Sequence, residues 1–267
     1  MHPLLVEIEA IERKAWEDMA RVMPPSLAES IGLVSGPLGG AFFFMAARIP
    51  QFQFNWLGGP GLGDDDGACV REAVRRFRSA GQKKFIIQIP PGPKADAISS
   101  LARAEGLHPS PLAWAKFVRE TRDAPHSETT LTIREAGAAE RDVFGETAVA
   151  GFGMPRQMTA WLSQLVGRPH WRTYVSYDGE APAGVGALYV DGDFAWLGVG
   201  ATRPEMRKKG GQSAMLARRI ADAAASGARY AVTETGVPQE GQPAPSYQNI
   251  LRSGFSVAYA RPNWTET

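Results

Sequence analysis

The chain has 267 residues, a length that suits two domains of ordinary size better than one. Hydrophobic residues make up 44% of it, which is enough for a buried core and excludes disorder as the main state. Its 29 Lys and Arg residues nearly balance 28 Asp and Glu residues, so the net charge of +1 gives no general attraction for a nucleic-acid backbone.

Few residues of the chain suit a metal centre. Cys69 is the one cysteine, so an internal disulfide or a cysteine-based zinc site is excluded. The four histidines, His2, His108, His126 and His170, show no ligand spacing. No apolar run is long enough for a bilayer, and no secretion signal is evident, so we expect a cytoplasmic protein without metal, membrane or nucleic-acid partners.

The first half of the chain alternates predicted helices and strands. Apolar residues recur every three or four positions from Pro3 to Met23, which predicts an amphipathic helix, and Pro24 and Pro25 end it. A stretch rich in glycine and proline follows over residues 32–40. We then expect strands at 41–48 and 52–57, a helix at 67–80, a strand at 85–89, a helix at 94–105 and a strand at 113–118.

The second half repeats this order after a polar segment over residues 119–128. We therefore expect two domains, 1–124 and 125–267. The second should contain a strand at 130–134, helices at 138–152 and 156–166, strands at 172–177, 183–190 and 194–202, a helix at 211–226, a strand at 230–235, a helix at 246–253 and a strand at 257–260.

Matching glycines support a diverged tandem repeat. Gly81 and Gly227 each follow a helix and precede a strand, and Gly106 and Gly254 do the same further along. The alternative is that any two domains of alternating helices and strands share this order. Either way, the fold class is α/β with a mixed sheet.

The stretch from Trp196 to Leu216 reads as a strand, a basic glycine turn and a helix. Gly210 and Gly211 allow a tight turn, and the first N–H groups of the helix favour an anion. An ordinary solvated basic turn is the alternative interpretation.

Three segments together resemble the GCN5-related N-acetyltransferases over residues 130–264. They are Arg207-x-x-Gly210-x-Gln212, Glu234 on the next strand, and Ser246-x-x-Asn249 ahead of Gly254-Phe255. The first half, with Phe54-Asn55-Trp56-Leu57-Gly58, looks like a degenerate copy. The resemblance implies two tandem acyl-CoA acyltransferase domains, with acetyl-CoA as cosubstrate. The cosubstrate-binding residues it implies are Val199, Gly200, Ala201 and Thr202 along pantetheine, Arg207, Lys208, Lys209, Gly210, Gly211, Gln212 and Ser213 around the pyrophosphate, and Asn249.

Two positions depart from the family pattern. Gln212 stands where the family usually has Gly or Ala, and Ile250 stands where many members carry a tyrosine that protonates the departing thiolate. Tyr247 lies one helical turn away and is our candidate for that acid, with packing as the alternative.

Glu234 is the candidate catalytic base, because an amine must lose a proton to attack a thioester. It falls on an interior strand, where we expect burial to raise its pKa. A rim-exposed or ion-paired carboxylate is the alternative. Gln88 takes the equivalent place in the first half, and an amide cannot act as a base.

Other candidate features are weaker. In the glycine-rich loop 61–67, Asp64, Asp65 and Asp66 would repel a pyrophosphate, so we interpret them as helix caps. Trp161, Trp171 and Trp196 either line an acceptor pocket or belong to the core.

The sequence thus predicts an acetyl-CoA-dependent N-acetyltransferase acting by direct transfer on a small amine. A non-catalytic CoA-binding or protein-interaction module is the alternative. The acceptor's identity, and whether the protein is a monomer or a homodimer, stay open.

Overall fold

The structure is a computed structural model that describes residues 2–62 and 67–266. Its helices are α1 (Leu5–Arg21), α2 (Pro25–Ile31), α3 (Ala68–Ser79), α4 (Ala95–Ala104), α5 (Arg141–Phe152), α6 (Thr159–Leu162), α7 (Gly211–Ala225) and α8 (Pro245–Arg252). Its strands are β1 (Leu33–Leu38), β2 (Ala41–Ala46), β3 (Asn55–Gly58), β4 (Ile86–Gln88), β5 (His108–Glu120), β6 (Thr132–Glu135), β7 (Trp171–Asp178), β8 (Ala181–Asp191), β9 (Phe194–Thr202), β10 (Tyr230–Gly236) and β11 (Ser256–Thr265).

All these strands form one mixed sheet, in the order β1-β2-β3-β4-β11-β5-β10-β9-β8-β7-β6. The centre of the sheet shows an exchange between the two halves. Strand β5, the last of the first half, pairs with β10, whereas β11, the last of the second half, pairs with β4. The two exchanged strands also pair with each other, antiparallel. The sheet therefore continues through both halves, and the predicted boundary at residues 124 and 125 falls in the segment between β5 and β6.

Helices cover both faces of the sheet. Alternate side chains of a strand point to opposite faces, and β2 shows this clearly. Phe42 and Phe44 pack in one core with the side chains of α1, α2, α5 and α6, whereas Phe43 and Met45 pack with those of α3 on the other face. A third core lies between α7, α8 and the strands β5 and β7 to β10.

The tandem repeat predicted from the glycines is visible in the backbone. Trp56 on β3 pairs with β4 at Ile86, and Trp196 on β9 pairs with β10 at Val232, both in parallel. Each tryptophan is followed by Leu-Gly in the sequence. Helices α3 and α7 both begin after a glycine in the left-handed region, with φ +82° at Gly67 and +75° at Gly210. The order of elements matches from α1 and α5 onward, and β6 is an addition in the second half.

The structure differs from the predicted elements at several places in the chain. Residues for which no element was predicted form α2 and β1, because Pro25 begins a helix and Pro37 is tolerated on an edge strand. Phe52–Phe54 is a 3-10 turn ahead of β3 instead of a strand. The last strand, β11, is longer than predicted because β5 and β4 both pair with it. The capping predicted for Asp64, Asp65 and Asp66 lies outside the described residues.

Candidate active site

A gap opens in the sheet between β9 and β10. These parallel strands pair up to Trp196 and Val232 and then diverge. Beyond that point β9 stays paired with β8, and β10 stays paired with β5. The Thr233 hydroxyl donates a 2.8 Å hydrogen bond to the Leu197 carbonyl at the apex of the gap. Backbone groups of β9 that would otherwise pair with β10 are therefore available to a ligand.

A β-bulge shapes the edge of β9 that faces this gap. Val199 and Gly200 together lie opposite Gly186, because the register shifts there between Val185 and Ala187. Val199 has φ +48°, a conformation that costs a β-branched residue about 1–3 kcal/mol. Such strain persists where the surrounding structure enforces it, and it is concentrated at functional sites.

Arg219 of α7 fixes the bulge from below. Its Nη1 donates hydrogen bonds to the carbonyls of Ala187 (3.1 Å) and Gly198 (3.0 Å). The side chain is buried, and among the described residues no carboxylate forms an ion pair with it. This burial lowers its pKa to about 10. Arg219 thus holds the bulge through hydrogen bonds to carbonyl oxygens alone.

The start of α7 has the form of an anion cradle. No side chain caps this helix, so its first N–H groups face away from the turn without a capping partner. A Cβ on Gly210 would lie 2.8 Å from the Glu128 carbonyl oxygen, so only glycine fits. Arg207 and Lys208 are exposed beside it, whereas Lys209 forms an ion pair with Asp178. These features suit a pyrophosphate.

Gln212 links α7 to α8. Its amide nitrogen donates to the Ser246 hydroxyl at 3.2 Å, and its amide oxygen accepts from Asn249 at 2.5 Å. Two residues predicted to contact the cosubstrate therefore contact each other. The glutamine in the usual glycine position serves to hold the two helices together.

A cavity of about 420 Å³ passes through the gap from the α7 and α8 face to the α1 face. Of the predicted site residues, Val199, Gly200, Gln212 and Glu234 line it, and Ile250 does as well. Tyr247 packs edge-on against Phe117, with ring centroids 5.0 Å apart, and lies outside the cavity lining. The other predicted residues do not line the cavity: Ala201, Thr202, Arg207, Lys208, Lys209, Gly210, Gly211, Ser213 and Asn249.

The α1 side of the cavity is walled by tryptophans from both halves. They are Trp16, Trp56, Trp114, Trp161 and Trp196. Trp161 and Trp196 therefore line the cavity and are also core residues, 1% and 4% exposed. Trp171 belongs to the core alone, where its indole nitrogen donates a 2.8 Å hydrogen bond to Asp18.

Glu234 ends in a buried ion cluster formed by Glu9, Glu12, Lys116, Glu234 and Arg261. Its Oε2 lies 2.5 Å from the Lys116 Nζ and 3.1 Å from an Arg261 nitrogen. Lys116 also pairs with Glu12. Arg261 pairs in addition with Glu9 at 2.8 Å and Glu12 at 3.1 Å. The ion cluster joins α1 to three central strands.

The charges of the ion cluster decide the protonation of Glu234. Burial by itself would raise the pKa of this carboxyl, but the charges of Lys116 and Arg261 outweigh it and lower the pKa below its ordinary value. The predicted rise in pKa is therefore wrong, because the sequence did not reveal the two cations. Burial, together with Arg261, lowers the pKa of Lys116 to about 8.

Sequence reasoning missed Glu12, Lys116 and Arg261. A signal was present for Glu12 and Lys116. Glu12 lies one helical turn from Ile8 on the apolar face of α1, and Lys116 interrupts an apolar stretch of β5. A charge at a core position is itself an indication of a buried partner or a functional site.

Structural comparison shows where this architecture is found. A GCN5-related N-acetyltransferase from Kribbella flavida aligns with 92% of this chain and 95% of its own, at TM-score 0.59 and 12% identity. One from Sphaerobacter thermophilus aligns with 99% of this chain and 93% of its own, at TM-score 0.61 and 14% identity. A tandem GNAT protein from the clavulanic acid biosynthesis pathway aligns with 85% of this chain and 78% of its own, at TM-score 0.57 and 15% identity. The chain has the tandem GCN5-related N-acetyltransferase fold.

The predicted resemblance is thereby confirmed at the level of fold. No family model matches the sequence, and no curated protein is significantly similar to it. Among the described residues, no helix is long and apolar enough to cross a bilayer, and no group of three or more His, Cys, Asp or Glu side chains could hold a metal ion.

The two halves of this acetyltransferase fold differ at the gap. In the first half, β3 and β4 remain paired at Gly58 and Gln88, and the Gly59 N–H donates to the Gln88 carbonyl at 3.3 Å. The backbone groups that are available in β9 are therefore used in β3. Gln88 takes the place of Glu234, as the repeat predicts, and lines the cavity as a neutral amide.

Proposed function

We propose that the protein is an acetyl-CoA-dependent N-acetyltransferase that transfers the acetyl group directly to a small amine. The observation that supports this most strongly is the cavity through the gap between β9 and β10. One end faces the anion cradle at the start of α7, and the other is walled by tryptophans and two carboxylates. Both substrates can therefore meet within the sheet, as direct transfer requires.

The cosubstrate would be held by residues of the second half. Backbone N–H groups of residues 210–213, with the charges of Arg207 and Lys208, suit its pyrophosphate. The free edge of β9 over residues 199–202 suits the amide groups of pantetheine, which can pair like a strand. Bound acetyl-CoA supplies an acetyl group activated as a thioester.

The reaction consumes an ammonium and a thioester and yields an amide, a thiol and one proton. The amine nitrogen bonds to the acetyl carbon, and the carbon–sulfur bond breaks. Glu234 and Glu12 are the carboxylates that line the cavity. We assign Glu234 to bind the ammonium, which can attack only after it has lost one proton to water. Glu234 then accepts the second proton as the carbon–nitrogen bond forms, since the nitrogen becomes far more acidic at that point, and this proton ends on the departing thiolate.

The leaving thiolate needs little help from an acid. An ordinary thiol has a pKa of about 8.5, so its anion is a tolerable leaving group near neutral pH. Ile250, which lines the cavity, takes the position at which many members of the family carry a tyrosine. Tyr247 as a general acid stays a prediction, and from its position on Phe117 it would have to move to reach the cavity.

Calorimetric titration with acetyl-CoA and CoA tests the cosubstrate site. We expect micromolar binding, about −8 kcal/mol, that weakens at least tenfold in the double variant Arg207→Glu, Lys208→Glu. Lys84→Glu, an exposed lysine ahead of β4, is the matched control and should bind normally. Failure of the wild-type protein to bind either compound would contradict the proposal.

Thiol release with a panel of amines then tests turnover. Glu234→Gln should lower kcat by about 10²-fold or more and leave acetyl-CoA affinity within twofold. The control is Glu240→Gln, in the exposed loop after β10. A variant that turns over normally from pH 6 to 9 would remove Glu234 from this role.

The second candidate function is a non-catalytic CoA-binding or protein-interaction module. The hydrogen bonds of Gln212 to Ser246 and Asn249, beside the cradle, favour it because they brace α7 and α8 without any need for chemistry. CoA binding with no thiol release for any amine would support this candidate instead.

A further inference from the structure

We propose that the acceptor is a cationic amine on a compact apolar body, and that its ammonium group completes the charge balance of the ion cluster. This inference rests on the proposed function for its chemistry. It concerns the binding of the acceptor, which can be measured without acetyl-CoA.

The ion cluster lacks one positive charge. Its three carboxylates, Glu9, Glu12 and Glu234, are paired with two cations, Lys116 and Arg261, within the described part of the chain. With every group ionised, it carries a net charge of −1. Uncompensated charge away from water is unfavourable, so a further cation would be bound strongly.

Nearby cations of the protein are directed elsewhere. Arg13 of α1 donates to the Gly40 carbonyl at 3.2 Å and lies 3.6 Å from Glu17, at the surface. Arg219 donates its hydrogen bonds to carbonyl oxygens on the α7 face of the sheet. Neither side chain contacts the carboxylates of the ion cluster.

The missing charge fits on the cavity side. Lys116 is fully buried behind Glu12 and Glu234, whereas these two carboxylates line the cavity. Glu234 keeps 21% of its side chain accessible, so a ligand can reach it. An ammonium in the cavity would therefore meet two carboxylates, with Lys116 on their far side.

The surrounding walls select the body that carries the ammonium. Trp16 lies edge-on to Trp56 at 5.2 Å and 6.4 Å from Trp161, between ring centroids, and all three line the cavity. Indole rings attract cations and bind apolar surface. Against these three indole rings, the hydroxyl groups of a polar amine would lose hydrogen bonds to water, so we expect the site to bind such an amine less tightly than an apolar one.

Three probes test the proposal by calorimetry without acetyl-CoA. They are 2-phenylethylamine, its neutral counterpart 2-phenylethanol, and the polar amine glucosamine. We expect 2-phenylethylamine to bind at least tenfold more tightly than either of the others. Equal binding of the amine and the alcohol would overturn the charge argument, and equal binding of glucosamine would overturn the apolar one. Absence of 2-phenylethylamine binding at millimolar concentration would overturn both.

Variants locate the site. Glu234→Gln should reduce the preference for amine over alcohol to less than threefold, whereas Glu7→Gln, exposed on α1, should keep it. Trp16→Leu alters a half-buried residue and should weaken the binding of both phenyl compounds while preserving the ratio of their affinities. This variant tests the tryptophan walls if Glu234→Gln does not fold. If folded Glu234→Gln keeps the wild-type ratio of amine to alcohol affinity, the ammonium does not bind at Glu234.

The outcomes separate this inference from the proposed function. If 2-phenylethylamine binds as expected but neither it nor any other amine of the panel releases thiol from acetyl-CoA, the transferase proposal fails and the ammonium site stands. If acetyl-CoA is consumed with glucosamine and not with 2-phenylethylamine, the transferase proposal stands and this inference is wrong.

Discussion

Glu12 shows how a single side chain connects the stability of this protein to its proposed chemistry. It projects from the apolar face of α1, is almost fully buried, and still borders the cavity. A carboxylate in that position is tolerated because Lys116 and Arg261 pair with it. The same residues set the charge that a substrate would meet.

Lys116 should make stability depend on alkaline pH. Its pKa is lowered to about 8 in the folded protein from 10.5. Between these values the unfolded chain binds more protons, so this group makes folding more favourable as pH rises. We expect the free energy of unfolding of the wild type, relative to Lys116→Met, to increase by about 2 kcal/mol from pH 7.5 to pH 10.

Urea denaturation at several pH values measures this difference. Lys14→Met, at an exposed lysine, is the control and should show no such pH-dependent difference from the wild type. Parallel stability curves for the wild type and Lys116→Met would contradict the shift in pKa.

The sequence predicts some residues of the candidate site and misses others for a physical reason. Glu234, Gly210 and Gln212 lie in local patterns of strand, turn and helix, and these patterns carry the family resemblance that singles them out. The partners of Glu234 come from β5, which the strand exchange pairs with β10, and from β11, which pairs with the other edge of β5. No local sequence pattern shows that Lys116 and Arg261 lie next to Glu234. The sequence therefore predicts the shift in the Glu234 pKa in the wrong direction.

At the scale of elements, the contact between α7 and α8 depends on Gln212, which departs from the family's usual Gly or Ala. Its contribution to stability can be measured. Gln212→Ala removes the hydrogen bonds to Ser246 and Asn249. We expect the free energy of unfolding to fall by about 1–2 kcal/mol, because two partly buried hydrogen bonds are lost. Acetyl-CoA affinity should stay within threefold of the wild type or improve, since the backbone of the cradle is unchanged.

Thermal denaturation and calorimetry on the same samples check this expectation. Gln248→Ala, exposed on α8, provides the matched control. A tenfold loss of acetyl-CoA affinity with unchanged stability would mean that the Gln212 side chain binds the cosubstrate directly.

Elements with strong periodicity were predicted well, and those set by tertiary contacts were not. The helix α1 and the strands β7, β8 and β9 match their predicted positions closely. The 3-10 turn at Phe52–Phe54 was predicted as a strand because its aromatic residues favour strands in isolation. The length of β11 depends on two neighbours that its own residues do not reveal.

At the scale of the whole molecule, the strand exchange predicts that the halves depend on each other. A fragment of residues 125–267 would lack β5, which separates β10 from β11. We expect this fragment to be insoluble or to unfold without cooperativity, because both sides of the missing strand would expose unpaired backbone. Co-expression with residues 1–124 should restore a soluble complex.

Circular dichroism melting of the fragment, the co-expressed pair and the full chain measures this dependence. A fragment 125–267 that melts cooperatively on its own, near the temperature of the full chain, would show that the exchange contributes little. That result would also favour the predicted boundary at residues 124 and 125 as a true limit between independent domains.

The strand exchange occurs within one chain, so the two halves can change by mutation independently of each other. In a homodimer whose subunits exchange their last strands, each substitution occurs in both subunits. A residue that suits the site of one subunit must then also be tolerated in the site of the other. Here the two partners are encoded separately, and Gln88 can replace a carboxylate in one half while Glu234 is kept in the other. Because the two halves are parts of one chain, the first half can lack the gap between its strands. It can instead supply tryptophans to the cavity that both halves line.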